Sequence, residues 1–296
     1  MSERHQRPRA HHVEFRGVSG HRLAASRYAP EGARKGVAML LHGGGQTRHA
    51  WDATAARLAD QGFVALSVDQ RGHGDSAWVR DHAYTFLDFA DDARAVAAQI
   101  EADEGVAPAA IGASLGGIAS MLALGRSPRC FSALVLVDVT PRLQSSGVAS
   151  VTGFMREHVR EGFASIEEAA EAVARYLPHR PRPSSSDGLR KNLRQREDGR
   201  FYWHWDPAFL DGPRPVVSRA DEARAALEKA APTFAVPTLL ARGQSSELVG
   251  EAEAKHFLDL CPQAEQIDVA GARHMVAGDR NDVFASVVLE FLTRAR

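Results

Sequence analysis

Ser114 sits between two glycines in Gly112-Ala113-Ser114-Leu115-Gly116, after the apolar run 106–111 and before a small-residue, helix-like stretch, 115–124. Strand, tight turn and helix in that order would raise the Ser114 hydroxyl above the end of a sheet. The glycines let the two backbones pass close together. A hydroxyl becomes a useful nucleophile only when a base takes its proton. Acyl chemistry therefore also needs a histidine, a carboxylate to orient it, and backbone donors for the developing oxyanion. His274, in Gly271-Ala272-Arg273-His274-Met275, directly follows the last strand-like run. An unshifted imidazole there can accept the serine proton at neutral pH.

Two carboxylates compete for the third role. Glu247, in the loop 242–249, gives the chain order serine, acid, histidine and is the favoured candidate. Asp138, which ends the apolar run 133–137, is the alternative. The expected oxyanion donors are the backbone N–H groups of Leu115, at a helix start, and of Gly44, within His42-Gly43-Gly44-Gly45.

Short apolar runs alternate with amphipathic stretches, the pattern of a parallel sheet covered by helices. Strands are predicted at 13–18, 23–28, 37–41, 63–68, 106–111, 133–137, 236–240 and 266–269. Helices are predicted at 51–62, 86–100, 115–124, 251–260 and 283–294. After Pro141 the strand-like runs vanish. Helical stretches at 148–163 and 165–177 follow, then a loop rich in Pro, Arg and Ser, and an aromatic, Arg-rich segment 187–205. The division is therefore a core of 13–141 and 233–296, a helical lid of 142–232, and a disordered tail of 1–12. Phe154, Met155, Tyr202, Trp203 and Trp205 are candidate walls of a substrate pocket, and His204 a candidate polar contact. Arg180, Arg182, Arg190, Arg194 and Arg200 read first as solvated lid surface, with an anionic substrate as the alternative.

The chain has 296 residues, 36 basic against 37 acidic, and a net charge of −1. That balance points away from nucleic acid and anionic membranes. No apolar run reaches the roughly 18 residues of a membrane span, and no leader is apparent, so a cytoplasmic location is expected. The two cysteines, Cys130 and Cys261, suit neither a disulfide framework nor a metal site. No metal or cofactor is expected, and the oligomeric state is left open.

Taken together, His42-Gly43-Gly44, the stretch Asp69-Gln70-Arg71-Gly72-His73-Gly74-Asp75-Ser76, the serine pentapeptide, Arg242-Gly243 to Glu247, and Gly271 to His274 resemble the α/β-hydrolase superfamily. The resemblance covers about 13–291 and is greatest to the lidded branch of esterases, lactonases, carbon–carbon bond hydrolases, epoxide hydrolases, haloalkane dehalogenases and cofactor-free haloperoxidases. It implies a mostly parallel central sheet flanked by helices, with a helical lid inserted after the sixth strand. It also implies Ser114 as nucleophile, His274 as base, Glu247 as acid, and Gly44 and Leu115 as the oxyanion hole.

Two departures from the family pattern matter. Aspartate is usual in the Arg-Gly-x-x-Ser-Asp pattern, and the extra methylene of Glu247 keeps Asp138 in contention. A serine nucleophile disfavours the epoxide and haloalkane branches, which use aspartate. The expected reaction is hydrolysis of a carboxylic ester or lactone of a small, largely apolar molecule through an acyl-enzyme. The alternatives are a carbon–carbon bond hydrolase or haloperoxidase-like enzyme with the same triad, and a ligand-binding protein that has lost catalysis.

Overall fold

The computed structural model describes residues 10–180 and 185–295. In chain order its first half contains β1 (His11–Arg16), β2 (Arg22–Tyr28), β3 (Gly36–Leu41), α1 (Asp52–Asp60), β4 (Phe63–Val68), α2 (Phe86–Glu104), β5 (Ala109–Ala113), α3 (Leu115–Arg126) and β6 (Leu134–Val137). Then follow α4 (Ser145–Arg156), α5 (Ile166–Tyr176), α6 (Asp187–Arg190), β7 (Leu193–Gln195), β8 (Phe201–Trp203), α7 (Ala208–Asp211) and α8 (Ala220–Ala230). The chain closes with β9 (Thr238–Gly243), α9 (Glu251–Leu260), β10 (Glu265–Val269), α10 (Val276–Asp279) and α11 (Asn281–Arg294).

Eight strands form one sheet in the order β1-β2-β4-β3-β5-β6-β9-β10. β2 is antiparallel to both its neighbours, and from β4 onward every pairing is parallel. The central strands are buried and, Ser67 of β4 apart, carry no polar side chain, because helices cover both faces. Alternation along β3 shows how the layers divide. Val37, Met39 and Leu41 join the core under α2, α3 and α8, whereas Ala38 and Leu40 join the core under α1 and α11. The sheet residues are thus committed to two packed layers, and the chain is free to vary only at the strand ends.

Three of the differences from the sequence expectation bear on the tail and the insertion. The tail is shorter than 1–12, because His11 and His12 already pair with Arg27 and Ser26 in the β1–β2 ladder. Residues 1–9 lie outside the described residues. The helix expected over 148–163 stops at Arg156. His158 (φ 58°) and Gly162 (φ 62°) then turn the chain so that Phe163 bridges to Phe201. The lid expected over 142–232 ends before α8, whose Ala223 and Leu227 are buried in the same core cluster as α3. A Cβ on Gly125 of α3 would lie 2.5 Å from the Ala230 Cβ, so the helices touch at that glycine. The cap between β6 and β9 is accordingly α4 to α7 with the β7–β8 hairpin, and α8 belongs to the sheet-covering layer.

Candidate active site

β5 runs straight into α3 through Ser114, which has φ 45° and ψ −112°. That conformation is rare for a residue with a side chain and costs on the order of 1–3 kcal/mol, so the surrounding packing must hold it. The flanking glycines make the packing possible. A Cβ on Gly112 would lie 2.5 Å from the Gly116 carbonyl oxygen, and one on Gly116 would collide with the Leu41 carbonyl oxygen of β3. The Ser114 N–H donates to Val137 O (3.4 Å), tying the turn to the end of β6. Among the described residues none hydrogen-bonds the Ser114 hydroxyl. Such catalytic bonds commonly tighten only when substrate is bound.

The residue just beyond β6 is Asp138, fully buried and also at positive φ, 52°. Its N–H donates to Ala241 O of β9 (2.9 Å). Its carboxylate is surrounded by donors: Gly243 N–H at 2.9 Å, the Ser246 hydroxyl at 2.5 Å and His274 Nδ1 at 2.8 Å. The Ser246 oxygen accepts from the N–H groups of Leu248 and Val249, both at 3.0 Å, which leaves its proton for Asp138. An ionised carboxylate can only accept, so His274 carries its proton on Nδ1 and keeps a lone pair on Nε2.

Glu247 stands apart from this contact. Its side chain is about half exposed, accepts from Arg273 Nη1 at 3.0 Å, and reaches only the backbone N–H of His274, at 3.4 Å. The structure therefore joins the His274 ring to Asp138 and leaves Glu247 bracing the loop that carries it. The β9 loop still contributes to the site, through Gly243 and Ser246.

The loop 42–46 lies on the other side of Ser114, since a Cβ on Gly43 would sit 3.6 Å from that of Ser114. Gly43 N–H donates to Gln46 Oε1 (3.0 Å) and Gly45 N–H to His73 Nε2 (3.1 Å). His42 Nδ1 donates to Gly43 O (2.8 Å), and His42 Nε2 accepts from Gln70 N–H (3.1 Å). Burial pushes the imidazoles of His42 and His73 down to about 4 and about 3. Both rings are neutral structural groups at physiological pH. Leu115, the first residue of α3, is buried beside the same turn.

The cap residues divide into different roles. Met155 lies against the loop, where its Cε would be 2.9 Å from a Cβ on Gly45. Phe209 of α7, which sequence reasoning did not single out, is 3.4 Å from the corresponding point on Gly44. Its only sequence signal is its place just beyond the aromatic run 201–205. Phe154 instead stacks on Tyr176 (4.1 Å, 5°) and meets Trp203 edge-on (5.8 Å, 65°), so these aromatics form the cap's own core. Tyr202 donates to Asp198 Oδ2 (2.7 Å) with Arg196 over its ring. Trp205 packs on Phe209 and bridges to His73.

His204 opens onto a different cavity of about 200 Å³, lined by Arg48, His49, Asp75, Arg190 and Lys191 among others, with Ser114 absent from its wall. Burial lowers the His204 imidazole from its ordinary range. Two of the cap arginines have structural partners. Arg180 binds Asp279 (2.5 Å) and Met275 O, and Arg200 binds the carbonyls of Glu161 and Gly162. Arg182 lies outside the described residues.

Comparison with known proteins gives the same fold. An esterase of Mycobacterium tuberculosis is 32% identical over 176 residues, 57% of this chain and 56% of that protein. The match thus spans little more than half the length of that relative. A 2-(acetamidomethylene)succinate hydrolase of Mesorhizobium japonicum is 27% identical over 86% of each chain. The crystal structure of an E-2-(acetamidomethylene)succinate hydrolase superposes with a TM-score of 0.79 at 23% identity, covering 95% of this chain and 99% of that one. A structure of the mycobacterial esterase gives 0.75 at 26% identity, covering 97% and 92%. The family model described as serine aminopeptidase, S33, matches residues 32–281. With that match over most of its length, on a sheet of this order, the chain belongs to the serine aminopeptidase S33 family of α/β hydrolases.

Proposed function

We propose that the protein hydrolyses carboxylic esters of small, largely apolar molecules through an acyl-enzyme on Ser114. His274 Nε2 takes the hydroxyl proton as the oxygen attacks the ester carbonyl, and Asp138 fixes the tautomer and stabilises the imidazolium. The N–H groups of Gly44 and Leu115 receive the oxyanion. The proton on His274 then goes to the departing alcohol. Water, deprotonated by the same imidazole, releases the acid and restores the serine. The observation that carries this reading is the 2.8 Å contact of His274 with a fully buried Asp138, one residue beyond the strand end to which the strained Ser114 is tied. Met155 and Phe209, set against Gly44 and Gly45, supply apolar surface where the acyl group would enter. Esters are favoured because their leaving groups need no further machinery, and relatives named as esterases and lipases fit that preference.

The test is a panel of acyl esters, lactones and β-diketones assayed with wild type and Ser114→Ala, with an organophosphonate probe read by mass spectrometry. Ester turnover that disappears in Ser114→Ala, with an adduct on Ser114 in the wild type, is the expected result. Turnover of diketones alone would make it a carbon–carbon bond hydrolase. A wild-type protein that takes no label and turns over nothing would be a binding protein.

A further inference from the structure

Three successive amides in the glycine run have different surroundings. Gly43 N–H is held by the Gln46 side chain and Gly45 N–H by the ring of His73, while among the described residues none accepts from Gly44 N–H, which lies between them. We propose that His73 is a positioning residue of the oxyanion hole: with Gln46 it fastens the amides on either side of Gly44, so that the Gly44 N–H is the one aimed at the oxygen of a substrate attacked by Ser114. The proposal rests on the reading of Ser114 as nucleophile and deepens it.

His73 is equipped for this role and for little else. Its Nδ1 donates to the carbonyl of Arg71 (2.9 Å), which fixes the tautomer and leaves a lone pair on Nε2 facing Gly45. The ring is fully buried. It lies edge-on to Phe209 (4.8 Å, 78°) and Phe89 (6.2 Å, 64°), with His42 5.2 Å away, so it cannot swing aside without opening a void. Burial pushes its imidazole down to about 3, so the Nε2 acceptor is present at physiological pH.

The turn that carries His73 is in turn gripped by the cap. Gly74 N–H donates to His204 O and Asp206 N–H to Gly72 O, both at 2.7 Å, and His73 bridges to Trp205. A continuous line of bonded groups therefore runs from cap segment 204–206, through the His73 ring, to the amide beside Gly44. A histidine that served only to fill space would need no acceptor facing the loop. A preorganised donor matters most where charge develops, so loosening it should weaken the transition state and spare ground-state binding.

The experiment compares wild type, His73→Leu, which keeps bulk and loses the acceptor, and His73→Gln, whose amide oxygen can restore it. Readouts are kcat and KM on an ester substrate, the Ki of a trifluoromethyl ketone that forms an oxyanionic adduct with serine, and circular dichroism for the fold. His73→Leu should lower kcat about 10- to 100-fold, short of the 10²–10³ for outright loss of an oxyanion donor. The ketone should weaken by the same factor, KM should change less than about threefold, and His73→Gln should recover most of the loss. A folded His73→Leu enzyme with normal kcat, or one whose loss lies in KM alone, would overturn the proposal. Should His73→Leu fail to fold, Gln46→Leu decides the matter from the other side of Gly44: a loss confined to kcat and ketone affinity supports it, and unchanged kcat overturns it. Organophosphonate labelling separates the two levels. An unlabelled wild type defeats the serine reading itself, whereas normal labelling with an intact His73→Leu enzyme defeats only this inference.

Discussion

Asp138 receives three hydrogen bonds while fully buried, and each donor has a different consequence when removed. Asp138→Asn keeps the shape but presents an amide to His274. With either tautomer the lone pair needed on Nε2 is no longer secured, and a loss of about 10³- to 10⁴-fold in kcat is expected. Glu247→Gln should change kcat by less than about tenfold, because its carboxylate meets Arg273 and a backbone N–H and not the ring. Steady-state kinetics of the two variants, side by side, checks the ranking; a larger loss in Glu247→Gln would return the acid's role to that residue. The resemblance to the Arg-Gly-x-x-Ser-Asp pattern made Glu247 attractive, while the chain order serine, acid, histidine fits Asp138 equally. What neither could convey is the spacing between β6 and β9, which are hydrogen-bonded neighbours, so that a residue ending either strand can face the same imidazole. Ser114 and His274 could be singled out in the sequence because one follows an apolar run within a glycine-flanked turn and the other lies in the loop after the last strand-like run.

Among the elements, those packed on the sheet were legible and those packed on one another were not. β4, α9 and the β5–turn–α3 unit carry strong periodicity or unbroken apolar runs, because one partner surface dictates their pattern. The β7–β8 hairpin has strands of three residues and packs Trp203 against Phe154 of α4 and against Phe163, so its alternation is too short to recognise. The end of α4 at Arg156 is set by a turn at His158, a residue with no obvious turn signature. The serine turn allows a direct test at this scale. Gly112→Ala would press a methyl against the backbone of Gly116, which cannot retreat because α3 is anchored there. Overpacking of this kind should lower the unfolding free energy by about 1–3 kcal/mol, measured by urea titration, with kcat falling as the turn is displaced. A variant as stable and as active as wild type would mean the contact is not tight.

Across the whole molecule, the two buried histidines predict acid sensitivity. His42 and His73 titrate near 4 and 3 in the folded protein, against about 6.5 in an unfolded chain. Between those limits the unfolded state binds more protons, so stability is fullest above about pH 6.5 and is lost as the pH falls. Each histidine adds a slope of about 1.4 kcal/mol per pH unit. Partly buried His204 acts in the same direction, whereas the lowered carboxylates, such as Asp52 at about 2, take effect only at still lower pH. Urea unfolding at pH 7.5, 6.0 and 5.0 should show a steepening decline, and a flat profile would contradict the buried, neutral state of both rings. No helix among the described residues is long and apolar enough to cross a membrane.

The cap leaves the sheet after β6 and the chain returns to it at β9, the strand directly alongside. Asp138 lies just before the departure and His274 well after the return, so the insertion forms a closed excursion whose two ends are pinned at adjacent points. The sheet therefore fixes both ends of the insertion, and Arg180 adds a tie from the cap to Met275 O and Asp279, beside His274. Exchanging roughly residues 142–219 as a cassette should therefore alter substrate preference and spare the Asp138–His274 contact, provided the replacement keeps its grip on the turn at 72–74 and on Met275 and Asp279.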